Sequence, residues 1–209
     1  MATTARTAGL VATGVLGLGA ALLTRRMTQT WGTLAGEADG PLPGDDVVPA
    51  ASVVATRGVG IAAPPRAVWP WIVQLGYGRG GFYSHDWLER LVGLDIHSAD
   101  QVEERWQDLT LGDAVHLAPQ VTLRVARIEP LRHLVLVGDT LPGEGAAPYE
   151  FTWAFVLRAT GAGTRLLVRE RYRPLSPAGR VLAEAVQPVS FVMSAAMLRG
   201  VRGRALALA

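Results

Sequence analysis

Apolar and polar residues alternate along six stretches of this chain, and each stretch ends at glycine or proline. The period of two predicts strands at Ser52–Ile61, Ala114–Ala118, Thr122–Ile128, His133–Asp139, Glu150–Ala159 and Thr164–Arg173. In the first, Val53, Ala55, Arg57, Val59 and Ile61 share a face. Pro64 and Pro65 then open a helix whose apolar side is Val68, Trp69, Ile72 and Val73. Pro70 predicts that this helix is kinked or short, and Gly76 stops it. A second helix is predicted from Ser84, as N-cap, to Leu91, with Gly93 as its stop. Asp95–Thr110 reads as irregular, with one short element near Gln101–Trp106. Ala178–Ala207 reads as a long helix broken or kinked near Pro188. Strands joined by short turns form an antiparallel meander, and the terminal helix covers its apolar face. The class is α+β, with room for a hollow between a curved sheet and its helix.

Ahead of this domain, residues 52–209, lie two other segments. Ala8–Leu23 carries no charge and is flanked by Arg6 and by Arg25 with Arg26. As a helix it spans roughly 24 Å, slightly less than a bilayer core. Residues 1–27 are therefore expected to be a transmembrane anchor, with a cleaved signal or a buried helix as alternatives. Arg25 and Arg26 outnumber Arg6, a bias that the Met1 amine nearly offsets, so a single-pass cell-membrane protein with its domain on the cytoplasmic side is the expectation. Residues 28–51, rich in Gly, Pro and Asp, read as a linker or extended strap.

Composition narrows the chemistry. The chain has no cysteine, so disulfides, thiolate catalysis and Cys-ligated zinc are excluded. All 20 basic residues are Arg, so no Lys nucleophile or Schiff base is available. From Arg158 onward, nine Arg stand against Glu170 and Glu184. That basic third suits acidic headgroups or a plain solvated face. No aromatic-interleaved motif accompanies it, so no nucleic-acid partner is expected.

Three motifs invite sharper readings. Gly76–Gly81 satisfies G-x-G-x-x-G, but a helix precedes it where a dinucleotide site needs a strand. A turn, or a gate bringing Arg79, Phe82 and Tyr83 to a ligand, fits better. Ser84, His85 and Asp86 name a catalytic triad, yet adjacent residues point apart. His85, Asp86, Asp95, His97 and Asp100 lack metal-ligand spacing, so no metal and no cofactor are expected. His116 and His133 lie on strands, with ambiguous faces. In the last strand, Leu166, Val168, Glu170 and Tyr172 share one face. Arg165, Arg169, Arg171 and Arg173 share the other with Leu167 and are expected to face water. Phe151, Trp153, Phe155 and Leu157 form a broad apolar strand face, and Trp69, Trp71, Trp87, Trp106 and Trp153 are expected in the core or cavity wall.

The run Ile61-Ala62-Ala63-Pro64-Pro65 leading into Val68-Trp69 resembles the opening of the START/polyketide-cyclase (SRPBCC) superfamily. WPWIVQLG, GRGGFYSHDWLE, WQDLTLGD and the terminal FVM…MLRG helix resemble a bacterial, membrane-anchored and mostly uncharacterised subgroup of it. The resemblance covers about Trp31–Arg204. It implies a helix-grip fold: a curved antiparallel sheet of six or seven strands around a long C-terminal helix, with first and last strands adjacent. Arg57 and Glu170 are then expected to pair inside, since an unpaired buried charge is too costly. The superfamily includes lipid carriers and cyclases. The expected function is therefore non-catalytic binding of a hydrophobic small molecule or lipid in an internal cavity, tethered to the membrane. The expected ligand-binding residues are Arg57, Trp69, Arg79, Phe82, Tyr83, Trp153, Glu170 and Tyr172. A cyclase- or dehydratase-type enzyme, using an acid/base pair among Glu170, Tyr172, Arg57 and a His, and a membrane-surface interaction module are the alternatives.

Overall fold

The computed structural model of the chain describes residues 23–84, 98–138 and 148–209. Six antiparallel strands form one curved sheet: β1 (Val53–Ile61), β2 (Ala114–Ala118), β3 (Val121–Glu129), β4 (His133–Gly138), β5 (Tyr149–Thr160) and β6 (Gly163–Pro174). Their order is β1-β6-β5-β4-β3-β2. The first strand thus closes against the last, as the helix-grip expectation requires. β5 and β6 are the longest pair, in register from Tyr149↔Pro174 to Thr160↔Gly163. The expected strands fall within a residue or two of the observed ones. The segment predicted to be the second helix lies, after Ser84, outside the described residues. So does the apolar run before Leu23, which carries the anchor expectation.

Helix α1 (Pro65–Val73) is nine residues long with Pro65 in its first turn, and Pro70 sits within it. Its buried side chains include Val68, Trp69, Trp71 and Ile72. The long terminal helix is broken near Pro188, as expected, into α2 (Pro177–Ala185) and α3 (Gln187–Ala207), with a bend of 41° between them. Pro188 lies in the first turn of α3, where a missing N–H is tolerated. The Ser176 side chain caps α2 by accepting from the Gly179 amide at 3.0 Å. Among the described residues no single helix is long and apolar enough to cross a membrane; α2 and α3 together have the length and composition. The buried stripe of α3, with Leu198, Val201 and Ala205, packs against β1 and α1, as a core helix does.

The outer face of the sheet corrects one expectation. Arg165, Arg169 and Arg171 do not face water, because residues 31–50 run as an irregular strap across them; Arg173, beyond the strap, stays partly exposed, as expected. Arg165 donates to Glu37 (2.9 and 2.5 Å) and to the Gly32 carbonyl. Arg169 is only 3% exposed. It donates to Asp45 at 2.7 Å, to Thr56, and to the carbonyls of Glu37, Ala38 and Gly40. Arg171 reaches the carbonyls of Val48 and Pro49, and Arg173 pairs with Glu150 on β5. Apolar contacts add to this: Leu42 is buried with Val156 and Leu167. Gly32 and Gly58 permit the close approach, since a Cβ on Gly32 would lie 2.2 Å from the Gly58 carbonyl oxygen. The Arg165 hydrogen bonds hold the Glu37 carboxyl below its ordinary range. An arginine on a β-strand reads as exposed only until an acidic strap is laid over it.

Arg169→Ala is expected to destabilise the chain by roughly 3 kcal/mol, because it leaves three strap carbonyls without their donor and takes from Asp45 the nearer of its two guanidinium partners. Arg169→Lys is expected to recover little of this, lacking the planar fork. Urea denaturation of both variants checks the expectation.

Candidate functional site

On β6, Leu166, Val168, Glu170 and Tyr172 all turn inward and are buried. Trp153, Phe155 and Leu157 do the same on β5, with Phe151 half-buried beside them. Where this face meets the first half of α3, the packing leaves a cavity of about 220 Å³. Its apolar wall comes from Phe82, Leu117, Phe151, Trp153, Met193 and Met197; its polar wall from Ser84, Glu170, Tyr172, Ser190 and Ser194. The aromatic rings brace one another. Trp153 lies 4.6 Å from Phe155 and 6.2 Å from Phe82 between centroids, and Phe151 lies 4.7 Å from Tyr172.

Glu170, 4% exposed, organises the polar wall. One carboxylate oxygen accepts from Arg57 Nη1 at 3.0 Å and from Ser194 Oγ at 2.8 Å. The other accepts from Tyr172 Oη at 3.1 Å and, by a short contact, from Ser190 Oγ. Arg57 Nη1 also donates to both serine hydroxyls, at 3.1 and 3.2 Å. Its Nε reaches the Thr28 carbonyl at 3.1 Å. The register explains the reach: Ala55 faces Glu170 across the ladder and Arg57 faces Val168, so the ion pair is a diagonal one. Burial, with the Glu170 carboxylate beside it, pushes the Tyr172 phenol well above its ordinary pKa and keeps it a donor. Four donors fill the roughly four lone-pair sites of a carboxylate.

Of the residues expected to touch ligand, Phe82, Trp153, Glu170 and Tyr172 lie on this cavity wall. Arg57 stands behind it, separated from the hollow by its three partners. Trp69 is core, packed in α1. Arg79 donates to the carbonyls of Val73 and Trp106 and stacks 4.7 Å over the Trp106 ring, which ties the glycine loop shut. The loop itself closes by reciprocal backbone bonds between Gly76 and Gly81. Tyr83 sits edge-on to Trp71 at 5.7 Å, with Arg204 4.7 Å over its ring. Its backbone is pressed against α3 at Gly200, where a Cβ would lie 2.2 Å from the Tyr83 carbonyl oxygen.

The strand histidines stand apart from the cavity: His116 Nδ1 lies 3.0 Å from Thr122 Oγ1, and His133 lies 3.6 Å from Glu129. Among the described residues no cluster of three or more His, Asp or Glu suits a metal. Asp100 pairs with Arg204, and His85, Asp86, Asp95 and His97 lie outside the described residues. Sequence reasoning missed Ser190, Ser194, Met193 and Met197. Their signal is a spacing of four along one helix, which puts each pair on the same side.

Strand order and terminal helix make this a helix grip, the arrangement that the sequence resemblance implies. No family model matches the chain, and no match is found among curated proteins. Solved structures are similar at low identity. Protein Ms6760 from Mycobacterium smegmatis is 14% identical with a TM-score of 0.47, over 76% of this chain and 94% of that one. A protein from Nitrosospira multiformis is 14% identical with a TM-score of 0.45, over 70% and 94%. The Polyketide_cyc-like protein Cgl2372 from Corynebacterium glutamicum is 13% identical with a TM-score of 0.41, over 71% and 88%. At such distances they say nothing of activity, and the reading of the site rests on its own geometry.

Glu170→Ala is expected to cost roughly 3–5 kcal/mol, because it strands the Arg57 charge in the interior. Replacing Arg57 and Glu170 together by Leu is expected to cost less than Glu170→Ala alone. Chemical denaturation of the three proteins checks this, and equal losses would show that the pair does not act as a unit.

Proposed function

We propose that this chain binds a hydrophobic small molecule, without turning it over, in the cavity between the sheet and α3. The observation that carries the reading is a hollow of about 220 Å³, walled by aromatic and thioether side chains, with one compact polar cluster at its edge. Binding sites have this make-up: mostly apolar, with few placed polar groups. Volume narrows the ligand. Drug-sized sites run from roughly 300 Å³ upward, and a dry cavity of about 150 Å³ accepts benzene. A hollow between these values suits one or two rings or a short chain better than a whole phospholipid. The acid–base alternative is less well supported, since four donors from the protein already occupy the Glu170 carboxylate oxygens that a substrate would have to reach.

Native mass spectrometry of the full chain is expected to reveal a retained compound of low mass. Met193→Trp, which fills the hollow, is expected to release it while destabilising the fold by no more than about 3 kcal/mol. Retention of the same compound by the filled variant overturns the reading.

Attachment to a membrane belongs to the same proposal, on the strength of the uncharged run from Ala8 to Leu23. The full chain is expected to float with lipid vesicles and to lose flotation when residues 1–27 are removed; flotation unchanged by that removal counts against the tether.

A further inference from the structure

Near the turn that joins β5 to β6 lies a cleft of about 480 Å³, and none of its described lining residues belongs to the cavity under α3. Three arginines from distant parts of the chain stand on it. Arg66 comes from the first turn of α1, Arg132 from the turn between β3 and β4, and Arg158 from β5. Backbone contacts hold these segments together. The Arg132 carbonyl accepts from the Leu157 amide at 2.7 Å, next to Arg158. Thr164, opposite Ala159 in the ladder, donates its hydroxyl to the Ala63 carbonyl at 2.7 Å, just ahead of α1. All three arginines are exposed. Arg132 pairs with Glu129 at 2.7 Å. Among the described residues, Arg66 and Arg158 make no hydrogen bond or ion pair; the field of Arg158 falls on Glu37, which Arg165 already holds.

The rest of the lining is largely apolar, with Leu131, Leu157 and Pro65 on it. Leu131 holds its place against conformational preference. Its φ of 65° lies in the left-handed region. The Arg132 amide donates to the Glu129 carbonyl at 3.0 Å, so Pro130 and Leu131 are the central residues of a tight turn. Glycine is the usual residue at the second of those places, because a Cβ is disfavoured there. The Leu131 side chain is 42% exposed, so burial in the core does not offset that cost. A contact made only when the cleft is occupied does offset it.

We infer that this cleft is a second binding site, for a small phosphate monoester with an apolar body: Arg66 and Arg158 receive the phosphate, and Leu131 and Leu157 meet the body. Glu129 answers Arg132, so two guanidiniums remain free, which matches the charge of a phosphate monoester at neutral pH. Guanidinium forks suit phosphate oxygens. The ligand comes from solution and not from a lipid surface. The segment after the expected anchor joins the domain at Arg25–Glu184, on α2, and most of β6, roughly 30 Å of strand, separates that junction from the cleft.

Calorimetry on the full chain with 1-naphthyl phosphate, 1-naphthoate and inorganic phosphate tests this. The ester is expected to bind at least about tenfold tighter than inorganic phosphate, which lacks the apolar body. It is expected to bind about fivefold tighter than 1-naphthoate, which carries one charge. Arg66→Gln and Arg158→Gln are each expected to weaken the ester about fivefold with Tm unchanged. Leu131→Gly is expected to weaken it about threefold while Tm holds or rises, since glycine accepts the left-handed backbone. Phosphatidylglycerol vesicles are expected to leave ester affinity unchanged. Failure of the ester to bind, or ester affinity indifferent to both arginine substitutions, overturns the site. Inorganic phosphate binding as tightly as the ester, or unchanged ester affinity in Leu131→Gly, overturns the apolar contact. Equal binding of 1-naphthoate overturns the preference for a phosphate monoester. Loss of ester affinity on adding the vesicles overturns the soluble source. The arginine substitutions lie outside the cavity under α3, so failure here leaves the cavity reading standing.

Discussion

A carboxylate cannot be taken out of water without donors to replace the water, and this chain buries Glu170 against the apolar face of its own sheet. Everything around that residue answers the constraint. β1 must lie beside β6 to bring Arg57 across the ladder. The chain must place Tyr172 two residues along the same face. α3 must enter at the height where Ser190 and Ser194 meet the two oxygens. The ion pair adds little net stability over an apolar alternative, because its desolvation cost is large. What it fixes is alignment: the helix cannot slide by a turn along the sheet without leaving both charges unpartnered.

The same strand solves the opposite problem on its other side. β6 alternates apolar and Glu inward with Arg outward, and the Arg side is covered rather than solvated. Glu37 and Asp45 supply the charges, and strap carbonyls take the remaining guanidinium donors. Arginine suits this task because its planar fork satisfies several backbone acceptors at once. The N-terminal segment is tied further along: Trp31 meets Phe191 edge-on at 6.2 Å, Arg199 lies 4.7 Å over the Trp31 ring, and Arg25 binds Glu184. The strap thus joins both faces of the domain, since its start rests on α3 and its body on the outer sheet. A basic surface for acidic lipid, one of the sequence-level alternatives, loses Arg165, Arg169 and Arg171 to contacts within the fold, while Arg158, Arg180, Arg199 and Arg202 stay exposed.

Local pattern made much of this legible. Alternation in β1, β5 and β6 identified which residues face inward, because a strand's period of two leaves no other choice once the apolar set is known. The Arg57–Glu170 pair followed from that parity together with the adjacency of first and last strands, which the family resemblance supplied. The bend at Val186 was readable to within a few residues from Pro188. What escaped were contacts between elements distant in sequence. Nothing near Arg169 announces that residues 37–45 will lie over it, so parity alone placed it in water. Arg79 and Tyr83 looked like a gate because their loop is rich in glycine. The contacts that occupy them, with Trp106 and Arg204, come from 27 and 121 residues away. Ser190 and Ser194 carried a local signal, four-residue spacing in an apolar helix, whose meaning depends on the acid opposite them.

The register of α3 also accounts for the hollow itself. Its inward stripe begins with Gln187, Ser190 and Ser194 and continues with Met197, Leu198, Val201 and Ala205. The latter half fills its space, with Leu198 and Val201 almost wholly buried against the core. The former half presents short hydroxyl side chains that stop at Glu170 and extend no further. Across from them, β5 and β6 offer large rings braced against one another, which do not collapse inward to close the gap. The volume left between short serines and rigid rings is the cavity. The serines required to satisfy a buried carboxylate are therefore also the reason that this end of the core is not filled by the protein's own side chains. Site and hollow share one cause, and lengthening either serine would remove both.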